Sequence, residues 1–123
     1  MSWPRPRSSI RRDRQRLEDI LESLDSLPRI IGERTETEFL SDESTRCAVA
    51  QRLTVVGEAA ARLSPEVKER YPAVPWVDVI AFRNMLVHEY FGIHWPLVWQ
   101  TAIDHAPRLR AQIAEILRTE FPE

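Results

Sequence analysis

The stretch "RNMLVHEY", residues 83 to 90, sets an arginine, an asparagine and a histidine inside the most hydrophobic run of the chain, "PWVDVIAFRNMLVHEYFG". A buried cation is costly unless it is paired, so these residue types need a reason to be there. An unperturbed imidazole titrates at about pH 6.5 and exchanges protons near neutrality. A guanidinium presents a planar fork of donors matched to phosphate oxygens, and an amide adds a neutral hydrogen bond. His88, Arg83 and Asn84 are therefore the parts of a metal-free phosphodiesterase acting on RNA, which carries its own nucleophile in the 2′-hydroxyl. His88 would move the proton, Arg83 would neutralise charge on the transferring phosphate, and Asn84 would position it. The R-x4-H spacing suits a structural Arg–Glu pair with a polar histidine at a helix end equally well. Spacing alone leaves both readings open.

Apolar spacing predicts that the helix carrying this trio starts at Pro75, runs to about Tyr90 and is ended by Gly92. At roughly 100° per residue, Trp76, Val79, Ile80, Leu86, Val87 and Tyr90 fall within about 60° of Arg83. Arg83 then lies in the middle of the apolar stripe, with Asp78 and Glu89 turned to the other side. Asn84 and His88, four apart, share a neighbouring edge. The guanidinium needs an anion, and Glu58 stands isolated among apolar neighbours in "VVGEAAA". A buried or half-buried Glu58–Arg83 pair is predicted. Arg83 and His88 are about 140° apart on a regular helix and do not converge from one face. Two copies of the helix meeting across a two-fold axis would collect both groups in one groove.

Other elements must hold this helix. Leu17, Ile20, Leu21, Leu24, Leu27 and Ile31 repeat at helical spacing, with Pro28 expected to kink or divide the helix and Gly32 to stop it. "TETEFLSDESTR" reads as a connector in which Ser41 or Ser44 caps the next helix. That helix passes through Ala48, Ala50, Leu53, Val56, Ala59, Ala60 and Leu63 with Gly57 in its interior, a position that suggests close approach of another helix. "SPEVKERYP" predicts a short helix capped by Ser64 and ending before Pro72. A last helix starts at Pro96, buries Val98, Ala102, Ala106, Leu109, Ile113 and Leu117, and bends at Pro107. No strand-like alternation and no internal repeat occur. The expected fold class is all-α: an antiparallel four-helix bundle with one extra short helix, forming a two-fold dimer.

The 123 residues suit one domain, here 10–121, behind a flexible basic arm at 1–9. Arg5, Arg7, Arg11, Arg12, Arg14 and Arg16 crowd that end against Asp13 alone, while the whole chain has a net charge of −2. The arm suits a solvated leader or a contact with phosphate, membrane or an acidic partner. The overall balance does not advertise nucleic-acid binding. Three glycines disfavour a turn-rich β fold. Cys47 is the single cysteine, so no internal disulfide forms, which suits a cytoplasmic setting. No apolar run reaches the roughly 18 residues that span a bilayer, and "MSWPRPRSS" lacks a secretory apolar segment.

The motif resembles the R-x4-H-x-Y signature of HEPN-domain ribonucleases, most closely the HepT-like toxins. The likeness extends in order and spacing through "FLSD", "VVGEAAARLSPE", "RYPAVPW", "HEYFGI" and "LVW", covering about residues 14 to 118. It implies a dimer with the active groove at the subunit interface. The family's arginine, following polar residue and histidine correspond to Arg83, Asn84 and His88, and the signature tyrosine to Tyr90. The resemblance further implies an RNA endonuclease that leaves a cyclic phosphate and acts as the toxin of a type VII toxin–antitoxin pair. Its partner would be an MntA-like minimal nucleotidyltransferase antitoxin that silences it by adding AMP to Tyr90. A departure is His94, where many relatives carry an acidic residue that would cap the last helix better.

No metal or other cofactor is expected: His88, Glu89 and His94 lack the spacing of a helical ligand pair. Trp76, Trp95 and Trp99 are base-stacking candidates, though Trp76 and Trp99 lie beside apolar neighbours at core spacing. The alternative function is a non-catalytic helical adaptor that binds a nucleotidyltransferase partner. It predicts no RNA cleavage and a complex indifferent to His88→Ala.

Overall fold

Helix α1 spans Ser9–Ile31, α2 Glu36–Ser41, α3 Glu43–Arg62, α4 Pro65–Arg70 and α5 Trp76–His88. These come from a computed structural model that describes residues 9–123. A 3-10 turn at Tyr90–Gly92 leads to α6, Trp95–Gln100, which passes through a π turn at Thr101–His105 into α7, Ala106–Glu120. There is no strand among the described residues. The arm expected at 1–9 lies outside the described residues except for Ser9, where α1 starts.

Helix α3 is sandwiched between α1 and α5, and α1 also packs along α7. The core between them holds Leu17, Ile20 and Leu27 of α1, Val49 and Val56 of α3, and Ile113 of α7, all at most 2% exposed. The apolar repeats at helical spacing produce these faces, and their burial against one another supplies the main driving force for folding.

Two local expectations need correction. The segment read as a connector contains a helix, so the long helices are accompanied by two short ones, α2 and α4, rather than one. Thr35 opens α2 in a reciprocal cap: its Oγ1 accepts from Glu38 N at 3.2 Å, and its own N donates to Glu38 Oε1 at 3.1 Å. Phe39 of α2 is fully buried, its ring centroid 5.2 Å from that of Trp99, so packing as well as capping holds the helix. The cap of α3 is Asp42, not Ser41 or Ser44; its Oδ1 accepts from Thr45 N at 3.2 Å and its Oδ2 from Thr45 Oγ1 at 2.7 Å. A carboxylate beside the positive end of a helix outcompetes a serine hydroxyl there.

Two prolines sit inside or at the start of long helices. Pro28 sits inside α1 without dividing it, and the helix closes at Gly32, whose N–H donates to Pro28 O at 2.8 Å and whose φ of 58° turns the following chain out of the helix. At Pro107 the chain widens in the preceding turn, where Ala106 N–H bonds Thr101 O, five residues back. Proline has no N–H and its ring collides with the carbonyl four residues earlier. The π turn takes up one extra residue just before that proline.

Hydrogen bonds from Thr45 hold the Asp42 carboxyl below the usual carboxylate range, helped by Arg34. Those from Thr35, its backbone N–H first, do the same for Glu38. A depressed folded pKa stabilises above the unfolded value, about 4, and that support fades as pH falls through the folded value. The protection factors of the Thr45 and Thr35 amides, which donate to these two carboxylates, should therefore fall selectively on acidification below about pH 4. Asp42→Asn should flatten the response at Thr45.

Asp13 does more than offset arginines. It is buried, accepting from Ser64 N at 2.9 Å and Ser64 Oγ at 2.6 Å across 51 residues of sequence. The carboxylate thus ties α1 to the start of α4. Asp13→Ala should lower stability by about 1–3 kcal/mol, because Ser64 N–H loses its acceptor in a half-buried setting. Asp13→Asn, which keeps one carbonyl acceptor, should lose less in the same denaturant titration.

Candidate functional site

Helix α5 starts against the core, its first residue Trp76 buried with Nε1 donating to Tyr71 O at 3.1 Å. One turn further on it meets α3 at Gly57. A Cβ at Gly57 would lie 2.2 Å from Arg83 Cβ and 3.2 Å from Val79 O, so only glycine lets the two backbones approach this closely. The interior glycine thereby seats the stem of Arg83.

The guanidinium turns to the next residue of α3. Arg83 Nη1 is 3.2 Å from Glu58 Oε1, and Glu58 Oε2 is 4.0 Å from Arg62 Nε. The Arg83 side chain is 20% exposed and that of Glu58 42%, so the pair is half-buried, with one carboxylate shared by two arginines. Arg83 Nε is buried and has no hydrogen-bond partner among the described residues. Glu58 orients the fork without using all of its donors.

Asn84 and His88 are exposed on the outward edge of α5, His88 in the last turn. Glu89 N–H closes the helix on Met85 O at 2.9 Å. No hydrogen bond or ion pair joins the His88 side chain to Arg83, Glu58 or any other described residue. The single chain therefore brings Arg83 and Glu58 together but does not bring the imidazole to the guanidinium.

The apolar stripe is shorter than the periodicity predicts. The helix stops at His88, so Tyr90 leaves the helical register and joins the 3-10 turn, 61% exposed. Val87 is also exposed, at 46%, although its neighbour Leu86 is buried. Phe91 is fully exposed, with its ring edge-on to Tyr90 at a centroid distance of 5.4 Å. The end of α5 thus presents imidazole, phenol and two apolar side chains on one short segment.

The other candidates fall elsewhere. Trp76 is buried, Trp99 packs on Phe39, and the half-buried Trp95 ring lies under Arg46, whose Cζ is 5.2 Å from the ring centroid. His94 is exposed and occupies the cap position of α6 without a side-chain bond. Pro96, fixed for the first turn, starts the helix without it. Among the described residues no group of three or more His, Cys, Asp or Glu could hold a metal ion. No described helix is long and apolar enough to cross a membrane.

The profile of the family described as Ribonuclease HepT-like matches residues 20–116, which include α3, α5 and the whole R-x4-H-x-Y segment. The Methanocaldococcus jannaschii protein named "Putative RNase MJ0127" is 36% identical over 102 residues, 83% of this chain and 84% of that one. "Putative RNase TTE0752" of Caldanaerobacter subterraneus subsp. tengcongensis is 33% identical over 104 residues, 85% and 93% of the two chains. "Probable ribonuclease HepT" of Thermococcus cleftensis is 30% identical over 100 residues, 81% and 91% of the two. No solved structure matches. A likeness that spans four-fifths of the chain, and takes in both the arginine seated on Gly57 and the helix end beyond it, makes this chain a member of the HepT-like ribonuclease family.

Proposed function

We propose that the protein is a metal-independent RNA endonuclease that works as a two-fold homodimer. The observation that carries this reading is Arg83, seated by Gly57 and oriented by Glu58 with its side chain still 20% exposed, on the helix whose outward end carries His88. A phosphate oxygen accepts from the accessible part of the Arg83 guanidinium, and Asn84 holds the same group with a neutral hydrogen bond. His88 takes the proton from the 2′-hydroxyl, whose oxygen attacks phosphorus; the P–O5′ bond breaks and the 5′-oxygen takes a proton from water, producing a 2′,3′-cyclic phosphate and a 5′-hydroxyl end. Because His88 and Arg83 diverge on one helix, the groove takes each from a different protomer, and the bare Val87 and Phe91 are covered by the pairing.

The biological setting we propose is cytoplasmic, as the toxin of a type VII toxin–antitoxin pair neutralised by a nucleotidyltransferase that adds AMP to Tyr90. The exposed phenol of Tyr90, two residues from His88, supports that reading: it is open to a modifying enzyme, and adenylate there sets bulk and negative charge beside the phosphate groove. Purified protein should cut RNA in excess EDTA, and an oligonucleotide with a 2′-deoxy group at the cut site should be refractory there. Cleavage that needs added metal, or that proceeds at the deoxy position, overturns the mechanism. No cleavage at all, with tight binding of the nucleotidyltransferase, would make the chain an adaptor.

A further inference from the structure

Helices α5 and α7 both face the α1–α3 layer, yet they do not close on each other. Between them lies an open cavity of about 320 Å³. Its floor is Leu24, Leu53 and Val56; Val79 and Phe82 wall the α5 side and Leu109 the α7 side. The polar groups are few: Asp78 from α5, with Thr101 and His105 from the π turn. Thr101 Oγ1 already donates to Leu97 O at 2.8 Å. The exposed Asp78 side chain has no hydrogen-bond or ion-pair partner among the described residues, nor has that of His105. Binding sites for small molecules run from about 300 to 1,000 Å³, apolar with a few polar groups, and this cavity suits a single ring system.

We infer that the cavity is a guanine-binding pocket, which takes a base of the RNA away from the bond being cut; this rests on the ribonuclease reading. The walls suit a flat ring, and Phe82 offers a face or an edge to it. A carboxylate only accepts, and so asks for two adjacent N–H donors on the ligand's edge. Guanine presents that pair at N1 and the exocyclic N2. Adenine and cytosine each set an acceptor beside the amino group, and uracil flanks its one N–H with carbonyls, so each meets the carboxylate with repulsion. The placement is compatible with a strand lying on the exposed outer face of α5. Asp78 lies ten residues before His88, about 15 Å along the axis and about 80° around it on the outward side. The base read there is therefore not one that flanks the cleaved phosphate.

The test has two arms. Guanosine, adenosine, cytidine, uridine and benzylamine are titrated separately into methyl-labelled full-length protein. Guanosine should shift the methyls of Leu53, Val56, Val79 and Leu109, about tenfold more tightly than the other nucleosides. Asp78→Asn, an exposed substitution that leaves the core intact, should remove that preference. Equal response to all four nucleosides, tighter binding of benzylamine at the same methyls, or no shift there overturns the assignment. In the second arm, oligoribonucleotides with one guanine at successive positions should be cut fastest at one fixed offset, and the Asp78→Asn variant should cut them all alike. RNA cleavage that is blind to the guanine defeats the pocket and leaves the ribonuclease standing. Guanosine binding without any RNA cleavage supports the pocket and defeats the ribonuclease reading.

Discussion

His88→Ala should cut RNA about 10²–10⁴-fold more slowly than the parent protein, the usual contribution of a positioned proton-transfer group, and should melt at the same temperature. The two halves of that expectation have separate causes. The imidazole is exposed at the end of α5, and its side chain bonds to nothing else in the described chain. Substitutions of that kind are within about 0.5 kcal/mol of neutral. The activity half follows from the need to remove a proton from the 2′-hydroxyl as it attacks. Loss of activity with retained stability marks a residue used by the substrate; a variant that still cleaves at the parental rate removes His88 from the mechanism. A residual activity that gives the same cyclic-phosphate product, only more slowly, would be the signature of Arg83 and Asn84 still binding the phosphate.

Gly57→Ala is the second large effect, and it sets two forces against each other. Alanine in the middle of α3 should favour the helix by about 1 kcal/mol over glycine. Against this, the added Cβ arrives 2.2 Å from Arg83 Cβ and 2.8 Å from Arg83 Cγ. Carbon atoms pack at about 3.5–4.0 Å, so the stem of Arg83 has to retreat by more than an ångström. The nearest atom is the Cβ of Arg83, fixed to the backbone, and no rotamer change relieves it. Overpacking of this order costs about 1–3 kcal/mol, and the clash should win. A fall in Tm of several degrees is expected, about 4–8 °C per kcal/mol for a domain near this size. At a temperature where the variant is folded, RNA cleavage should fall about 10²-fold, because displacing a substrate-positioning group by 1 Å is enough for that. A variant with unchanged Tm and rate would show that α3 and α5 are not as tightly apposed as their backbones indicate.

Both predictions act on features that are legible in the amino-acid order. The helical spacing from Leu17 to Ile31 and from Leu53 to Leu63 reports buried faces because a helix repeats every 3.6 residues whatever it packs against. Gly57 in a helix interior signals a neighbour, since nothing else offsets its entropy cost. The motif at 83 to 90 identifies the family as a pattern of residue types, independent of where those side chains end up.

What the order of residues did not reveal depended on contacts distant in sequence. Asp13 reads as one acid among arginines and becomes a buried acceptor only because α1 passes the start of α4, 51 residues on. The helix at Glu36–Ser41 is too short to show periodicity; a cap and the burial of Phe39 under Trp99 make it helical. Val87 and Tyr90 continue the apolar stripe in sequence, but Val87 is left exposed and α5 ends at His88, so Tyr90 departs from the helical register while Leu86 is buried.

By itself, then, the sequence determined the helical class, the apolar faces, the glycine contact and the family, because these follow from local periodicity and residue type. The tertiary structure alone decided where the stripe ends, which carboxylates serve as caps, how the chain widens before Pro107 and that a cavity opens between α5 and α7. Each of these depends on which surfaces meet across the fold, and the distances between non-neighbouring helices are set by packing rather than by the order of residues along any one of them.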